Sequence, residues 1–218
     1  VRLSLLQPEI TRGNIEHNVS VVQRLVDQSQ GQLLVLPEYV LTGSLVLDKG
    51  AEVREWALRS AQAKARLSIP DGKYLLINAL AEFDGKLYNC CELLPTDERY
   101  CKLFPDQTEL NAGVQPGTEQ KVFELLGKHF KVVICYDLPH MDKIPTGDLD
   151  FLLFIYHFTE ENFSRVMGVV KEVSRTRGLR VLVASLVSDQ NNGFSSYVDS
   201  DVVVSLPSHE GILEVEIE

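Results

Sequence analysis

Short apolar runs alternating with helical stripes set the rhythm of this chain. Leu3 to Leu6 and Leu33 to Leu36 read as strands. Between them Ile15, Val19, Val22 and Val26 recur at the spacing of one helix face, behind Asn14, a residue suited to capping a helix N-terminus. A second helix is expected from about Asp48 to Ser68, with Val53, Trp56, Ala57 and Ala61 on one face and Arg54, Glu55, Arg59 and Gln62 largely on the other; Pro70-Asp71-Gly72 ends it. Tyr74 to Glu82 and Lys86 to Leu94 flank Asp84-Gly85, a dipeptide that supplies positive φ in a two-residue hairpin, so these strands are expected to be antiparallel. Lys131 to Tyr136, Asp150 to Tyr156 and Arg180 to Val187 are further apolar runs, separated by a loop from Pro139 to Gly147 and a helix from about Thr159 to Arg177. Thr159 suits that helix's N-cap, and Gly178 lies where a left-handed C-terminal cap belongs. Phe194 to Asp199, Asp201 to Leu206 and Ile212 to Ile217 read as short closing strands.

About ten strands with three substantial helices make too much sheet for one doubly wound layer. Runs apolar on both faces, with helices between pairs of them, imply an α/β fold: a four-layer α-β-β-α sandwich of two packed mixed β-sheets. The 218 residues show no repeat, low-complexity tract or linker, and residues 1–218 read as a single domain.

Charge and cysteine usage narrow the partners. A formal net charge of −10 argues against a nucleic-acid surface or an anionic membrane face, since both need clustered Lys and Arg. The apolar part of Val1 to Pro8 is too short for a signal peptide, and no run approaches the ~20 apolar residues of a membrane span. A cytoplasmic protein is expected. Cys90 and Cys91 are adjacent and do not readily pair with each other, and no Cys-x-x-Cys occurs, so Cys90, Cys91, Cys101 and Cys135 are expected to be reduced thiols. The histidines at 17, 129, 140, 157 and 209 lack zinc-ligand spacing, and no metal or other cofactor is expected.

Three reactive side chains stand at the ends of apolar runs: Glu38 after Leu33 to Pro37, Lys102 within Tyr100 to Pro105, and Cys135 after Val132 to Ile134. Strand ends are where open α/β sheets put their chemistry, and a carboxylate base, an ammonium and a thiol suffice for acyl transfer. Singly, each has a bland reading: a small buried hydrophobe, a solvated carboxylate, a surface lysine. Asp137-Leu138-Pro139 shifts the balance for Cys135, because it ends the run and leaves the thiol at the sheet's edge. There the freed backbone N–H of Tyr136 can help hold an oxyanion. Glu109 is a candidate second carboxylate for orienting the Lys102 ammonium.

The segments Leu36-Pro37-Glu38-Tyr39-Val40-Leu41-Thr42-Gly43, Tyr100-Cys101-Lys102-Leu103-Phe104 and Ile134-Cys135-Tyr136-Asp137 resemble, in order and spacing, the glutamate, lysine and cysteine signatures of the nitrilase superfamily of carbon–nitrogen hydrolases. Glu109 followed by Pro116-Gly117 is similar to that family's second glutamate and Pro-Gly, and Gly193 to Asp199 to its late glycine-serine strand. Leu138-Pro139-His140-Met141 and Ser174-Arg175-Thr176-Arg177 depart from the family's pattern. The resemblance implies a single carbon–nitrogen hydrolase domain with a Glu38-Lys102-Cys135 triad, a Cys thioester intermediate, a small amide or N-carbamoyl substrate and a homodimer or higher homo-oligomer. Tyr39, His157 and Phe158 are expected to line the pocket, His157 because it follows the run Phe151 to Tyr156 at a strand end. Two alternatives stand beside this. One is a Cys-His amidohydrolase or glutaminase with His157 or His140 as base; the other is a catalytically inactive binding protein on the same fold.

Overall fold

Alternation along strand β1 (Arg2–Gln7) divides the apolar residues between two surfaces. In the computed structural model, which describes residues 1–44, 52–96 and 98–218, Leu3 and Leu5 join a core between two sheets while Leu6 packs on the outside, under a helix. The same division repeats in β7 (Lys128–Ile134) and β8 (Phe151–Ile155). Val132, Ile134, Leu153 and Ile155 point to the inter-sheet core, and Val133, Leu152 and Phe154 point away from it. Period-2 alternation with both sets apolar leaves two faces to cover.

The first sheet has the order β12-β1-β2-β3-β4-β5, with β2 at Leu33–Val35, β3 at Tyr74–Phe83, β4 at Lys86–Leu94, β5 at Glu98–Cys101 and β12 at Gly211–Glu216. The second has the order β11-β10-β9-β8-β7-β6, with β6 at Phe123–Leu125, β9 at Arg180–Ala184, β10 at Ser196–Asp199 and β11 at Val202–Ser205. Each is mixed: β1, β2 and β3 run parallel, as do β7, β8 and β9, and the flanking strands are antiparallel. Helices α1 (Ile15–Gln28) and α2 (Val53–Lys64) lie on the first sheet, where Val22, Leu25, Val26 and Ala63 meet Leu34 and Ile77. Helix α4 (Glu160–Arg177) lies on the second, where Val166, Met167 and Val170 meet Val133 and Val183. The layers are therefore α-β-β-α, as the patterning predicts.

Local signals hold where their chemistry is local. Asn14 accepts from the His17 N–H, Thr159 from the Asn162 N–H, and Gly178 adopts φ 62° after α4. Asp84 and Gly85 take φ 50° and 72° between β3 and β4. Helix α2 begins at Val53; the expected start from Asp48 to Ala51 lies outside the described residues. Strand β6, which the sequence reading misses, has only Phe123 and Leu125 to show for its alternation. Among the described residues no helix is long and apolar enough to cross a membrane.

Two expectations need correction. Strand β7 stops at Ile134, two residues short of Tyr136, and Cys135 opens a 3₁₀ segment that runs to Lys143 through the expected Pro139 loop. The Asp137 carboxylate accounts for this, accepting the Ile134 N–H at 3.1 Å and the Phe104 N–H at 2.9 Å, so a side chain takes over where the ladder would have continued. The four thiols are not all reduced either: Cys90 and Cys101 are joined by a disulfide. Register explains it, because β4 and β5 set these two residues directly opposite with Cα atoms 4.1 Å apart, a partnership between strands that residue spacing does not reveal.

Candidate active site

Glu38 sits just beyond β2, where the chain leaves the sheet in a tight turn. Tyr39 takes φ 49°, and its carbonyl accepts from the N–H groups of Thr42 and Gly43 at 3.1 and 2.7 Å. The turn is pinned from two sides. The Asn78 side chain accepts the Tyr39 N–H at 2.9 Å, and His157 bridges the Glu38 carbonyl (Nε2, 2.6 Å) and the Ser44 hydroxyl (Nδ1, 2.9 Å). Both ring nitrogens of His157 are thereby occupied.

Lys102 follows β5. Its N–H donates to the Asn89 carbonyl at 2.9 Å and its carbonyl accepts from Gly117 at 2.8 Å. Gly117 must be a glycine, since a Cβ there would stand 2.2 Å from the Cys101 carbonyl oxygen. Glu109 belongs to α3 (Gln107–Asn111), a short helix closed by a capping box in which Asp106 accepts the Glu109 N–H and Glu109 accepts the Asp106 N–H.

These side chains meet out of solvent: Glu38, Lys102 and Glu109 are 3%, 1% and 1% exposed. The Lys102 ammonium donates to Glu109 Oε2 at 2.7 Å and lies 3.4 Å from Glu38 Oε1. Asn89 Nδ2 donates to Oε1 of both carboxylates at 2.8 Å, and the Tyr39 hydroxyl donates to Glu109 at 2.7 Å. Asn78 holds the Asn89 amide in turn, donating to its oxygen at 2.7 Å. Two buried carboxylates share one ammonium, so the neutral donors Asn89 and Tyr39 are what complete their solvation.

Cys135 has φ 44°, an unusual conformation for a residue with a Cβ, at the abrupt change from β7 to the 3₁₀ segment. Asp137 holds that corner through the two N–H groups named above and through the Tyr100 hydroxyl at 2.7 Å. Burial, followed by the Glu38 charge, pushes the Cys135 thiol well above its ordinary value, and the Lys102 charge pulls it back only in part. Burial works against the Lys102 ammonium, but the Glu38, Cys135 and Glu109 charges outweigh it and the pKa is raised. Burial raises the Glu109 carboxyl, and the Lys102 charge with the hydrogen bonds from Lys102, Tyr39 and Asn89 reverses this to a net depression. Cys135 thus holds its proton more firmly than an ordinary thiol does, next to an ammonium set between two carboxylates.

A cavity of about 280 Å³ brings Glu38, Tyr39, Lys102, Glu109, Cys135 and His157 to one surface, together with Asp106 and Tyr156. The expected side chains thus converge, save for Phe158. Tyr136, expected to act through its backbone N–H, turns its side chain, 48% exposed, into a neighbouring lobe. Phe158 is fully buried in the core under α4 against Tyr156 and Phe163; alternation past the end of β8 turns it away from His157. His140 stacks on Phe104 at 4.1 Å. The sequence reading misses Asn78, Asn89, Asp106 and Tyr156. The asparagines left a signal, as each is a polar residue inside an otherwise apolar strand, Asn78 in β3 and Asn89 in β4. Among the described residues no group of three His, Cys, Asp or Glu side chains is arranged to hold a metal ion.

No protein-family model matches the chain, and no curated protein matches it. Solved structures do. The chain superposes on a glutamine-dependent NAD+ synthetase from Acinetobacter baumannii with a TM-score of 0.82 and 18% identity, covering 98% of this chain but 44% of that one. A cysteine-to-serine variant of a Nesterenkonia amidase from the nitrilase superfamily gives a TM-score of 0.82 at 17% identity over 100% of this chain and 92% of that one. A CN-hydrolase superfamily protein from Xanthomonas campestris with an arsenic adduct in its active site gives 0.75 at 19%, over 100% and 90%. The chain has the nitrilase-superfamily fold.

Proposed function

We propose that this chain is a carbon–nitrogen hydrolase that cleaves a small non-peptide amide or N-carbamoyl compound through a thioester on Cys135. The observation that carries the reading is the convergence, in one cavity, of a thiol, an ammonium and a carboxylate from three distant segments, with the ammonium held between Glu38 and Glu109. The amidase named above, which has the same fold, lends support of the kind a shared fold can give.

Glu38 takes the Cys135 proton as sulfur attacks the amide carbon. The carbonyl oxygen becomes an oxyanion met by the Lys102 ammonium and the Tyr136 backbone N–H. The C–N bond then breaks, and the amine leaves with the proton from Glu38. Water, deprotonated by the same carboxylate, attacks the thioester; the acid departs and the proton returns to sulfur. One base serves both halves, which suits a carboxylate held by Asn89 and Lys102 but engaged by neither through both oxygens. A raised thiol pKa fits this order of events, because the proton leaves as the bond forms and not beforehand. Glu109 and Asn89 act through Lys102 and Glu38 as positioning residues. The Cys-His reading draws less support: both His157 nitrogens are engaged elsewhere, and His140 is stacked on Phe104.

The test is a panel of small amides, N-carbamoyl amines and nitriles, with ammonia and acid release measured for the wild type and for Cys135→Ala. Release that depends on Cys135, and an acyl adduct on that residue in mass spectrometry, are expected. A panel left untouched, or hydrolysed equally by Cys135→Ala, would overturn the reading.

A further inference from the structure

Cys135 opens on two sides. Toward Glu38 lies the cavity already described, where Glu38, Glu109 and Asp106 face the single ammonium of Lys102. On the other side a second lobe, of about 350 Å³, shares Cys135 and Tyr156 with the first. Its remaining walls are Tyr136, Leu138, Pro139, Val166 and Val169, and one cation, Arg165 of α4. Tyr136 and Val169 are 48% and 42% exposed, so this lobe also reaches solvent.

Arg165 stands at the rim with no ion-pair partner among the described residues, although Glu161 lies one helical turn before it. Its charge is felt at the Tyr156 hydroxyl inside. In a chain of net charge −10, a guanidinium with no ion-pair partner among the described residues, at the rim of a cavity that the nucleophile also lines, is a feature that the proposed acyl transfer does not use. We infer that Arg165 sets specificity: the site takes an amide whose apolar carbon chain lies along Leu138, Pro139 and Val166 and ends in a carboxylate held by Arg165. The inference rests on the hydrolase reading for its reaction. Two arguments fix the sign and the side. A carboxylate is repelled from the cavity on the Glu38 side, where acidic groups outnumber the lone ammonium. In the second lobe apolar walls weaken the competition of water, and the planar guanidinium offers two parallel donors to a carboxylate.

The experiment compares a monoamide of a linear dicarboxylic acid with the amide of equal length that ends in a hydroxymethyl group. The carboxylate substrate is expected to have the higher kcat/KM, on the order of 10-fold, as for a charge-assisted hydrogen bond. Arg165→Leu should erase that preference by lowering the carboxylate substrate alone, Arg165→Lys should keep part of it, and added salt should shrink it. A second readout needs no turnover: the rate at which Cys135 is alkylated by an iodoacetamide with a carboxyl-terminated alkyl tail, against its hydroxyl-terminated analogue. A preference in alkylation that disappears in Arg165→Leu upholds the anion site even if no amide is hydrolysed, a result that would sink the hydrolase reading alone. Neutral amides hydrolysed as well as acidic ones, with Arg165→Leu unchanged in both assays, would overturn the inference and leave the hydrolase reading standing.

Discussion

A half-buried thiol flanked by a carboxylate and an ammonium responds in opposite directions to the loss of each. Lys102→Ala and Glu38→Gln should both remove turnover by on the order of 10²-fold or more with the circular dichroism spectrum unchanged, since one takes away an oxyanion donor and the other the proton carrier. Alkylation of Cys135 separates them. Lys102 is the neighbour that lowers the thiol pKa and Glu38 the charge that raises it, so the pH profile should move upward in Lys102→Ala and downward in Glu38→Gln. Profiles that move together would contradict this electrostatic account. Near-normal turnover in both variants, with His157→Ala inactive, would restore the Cys-His reading. Selectivity follows from the same environment. Brief iodoacetamide treatment of the native protein should modify Cys135 alone, because Cys90 and Cys101 are bonded and Cys91 is fully buried with its thiol pushed far up by burial. Early modification of Cys91, detected by mass mapping, would count against it.

Elements position these groups through close backbone contacts more than through bulk packing. Strand β5 delivers Lys102, and its end is held by the Asn89 carbonyl on one side and by Gly117 on the other. Gly117→Ala forces a Cβ into the Cys101 carbonyl, a backbone group that cannot rotate aside. A cost of about 1–3 kcal/mol in urea unfolding is expected, together with a fall in kcat as the Lys102 segment moves. Gly147→Ala, where an added Cβ meets nothing, is the control and should change stability by less than about 0.5 kcal/mol. Equal behaviour of the two variants would show that the segment after α3 does not set the place of the lysine. Much of this level was legible beforehand. The caps Asn14, Thr159 and Gly178 and the Asp84-Gly85 hairpin act within a few residues of themselves, so a linear reading finds them. The end of β7 was misread because the group that ends it, the Asp137 carboxylate, also reaches across to the Phe104 N–H on the far side of the site.

Across the whole molecule, the buried ion pair ties stability to pH. The Glu109 pKa is depressed in the folded chain, so its contribution is complete above the ordinary glutamate value of about 4.3 and is lost as pH falls through the lower folded value. The Lys102 pKa is raised, so its contribution is complete below about 10.4 and is lost as pH rises beyond that. Urea unfolding across an acid pH series should show wild-type stability declining below about pH 4.3. In Glu109→Gln the decline should be shallower, from a lower plateau at neutral pH. Parallel curves would mean that Glu109 is not the group being titrated. Assembly is the other property of this scale: the family resemblance implies a homodimer, and sedimentation over a range of concentrations should report at least a dimer. A monomer throughout would detach this chain from that expectation.

Period-2 and period-3.6 patterning determined the four layers by itself, because two apolar faces per sheet leave no other way to keep both from water. Spacing and local breakers marked Glu38, Lys102 and Cys135, each at the end of an apolar run. What the tertiary structure alone decided is how they are completed. Asn89 bridges two carboxylates that lie 51 and 20 residues away in the chain, Cys90 finds Cys101 through strand register, and Phe158 turns from the cavity that His157 faces. Hydrogen bonds to a buried charge reach about 3 Å in space, whereas the residues that make them follow no rule of sequence separation.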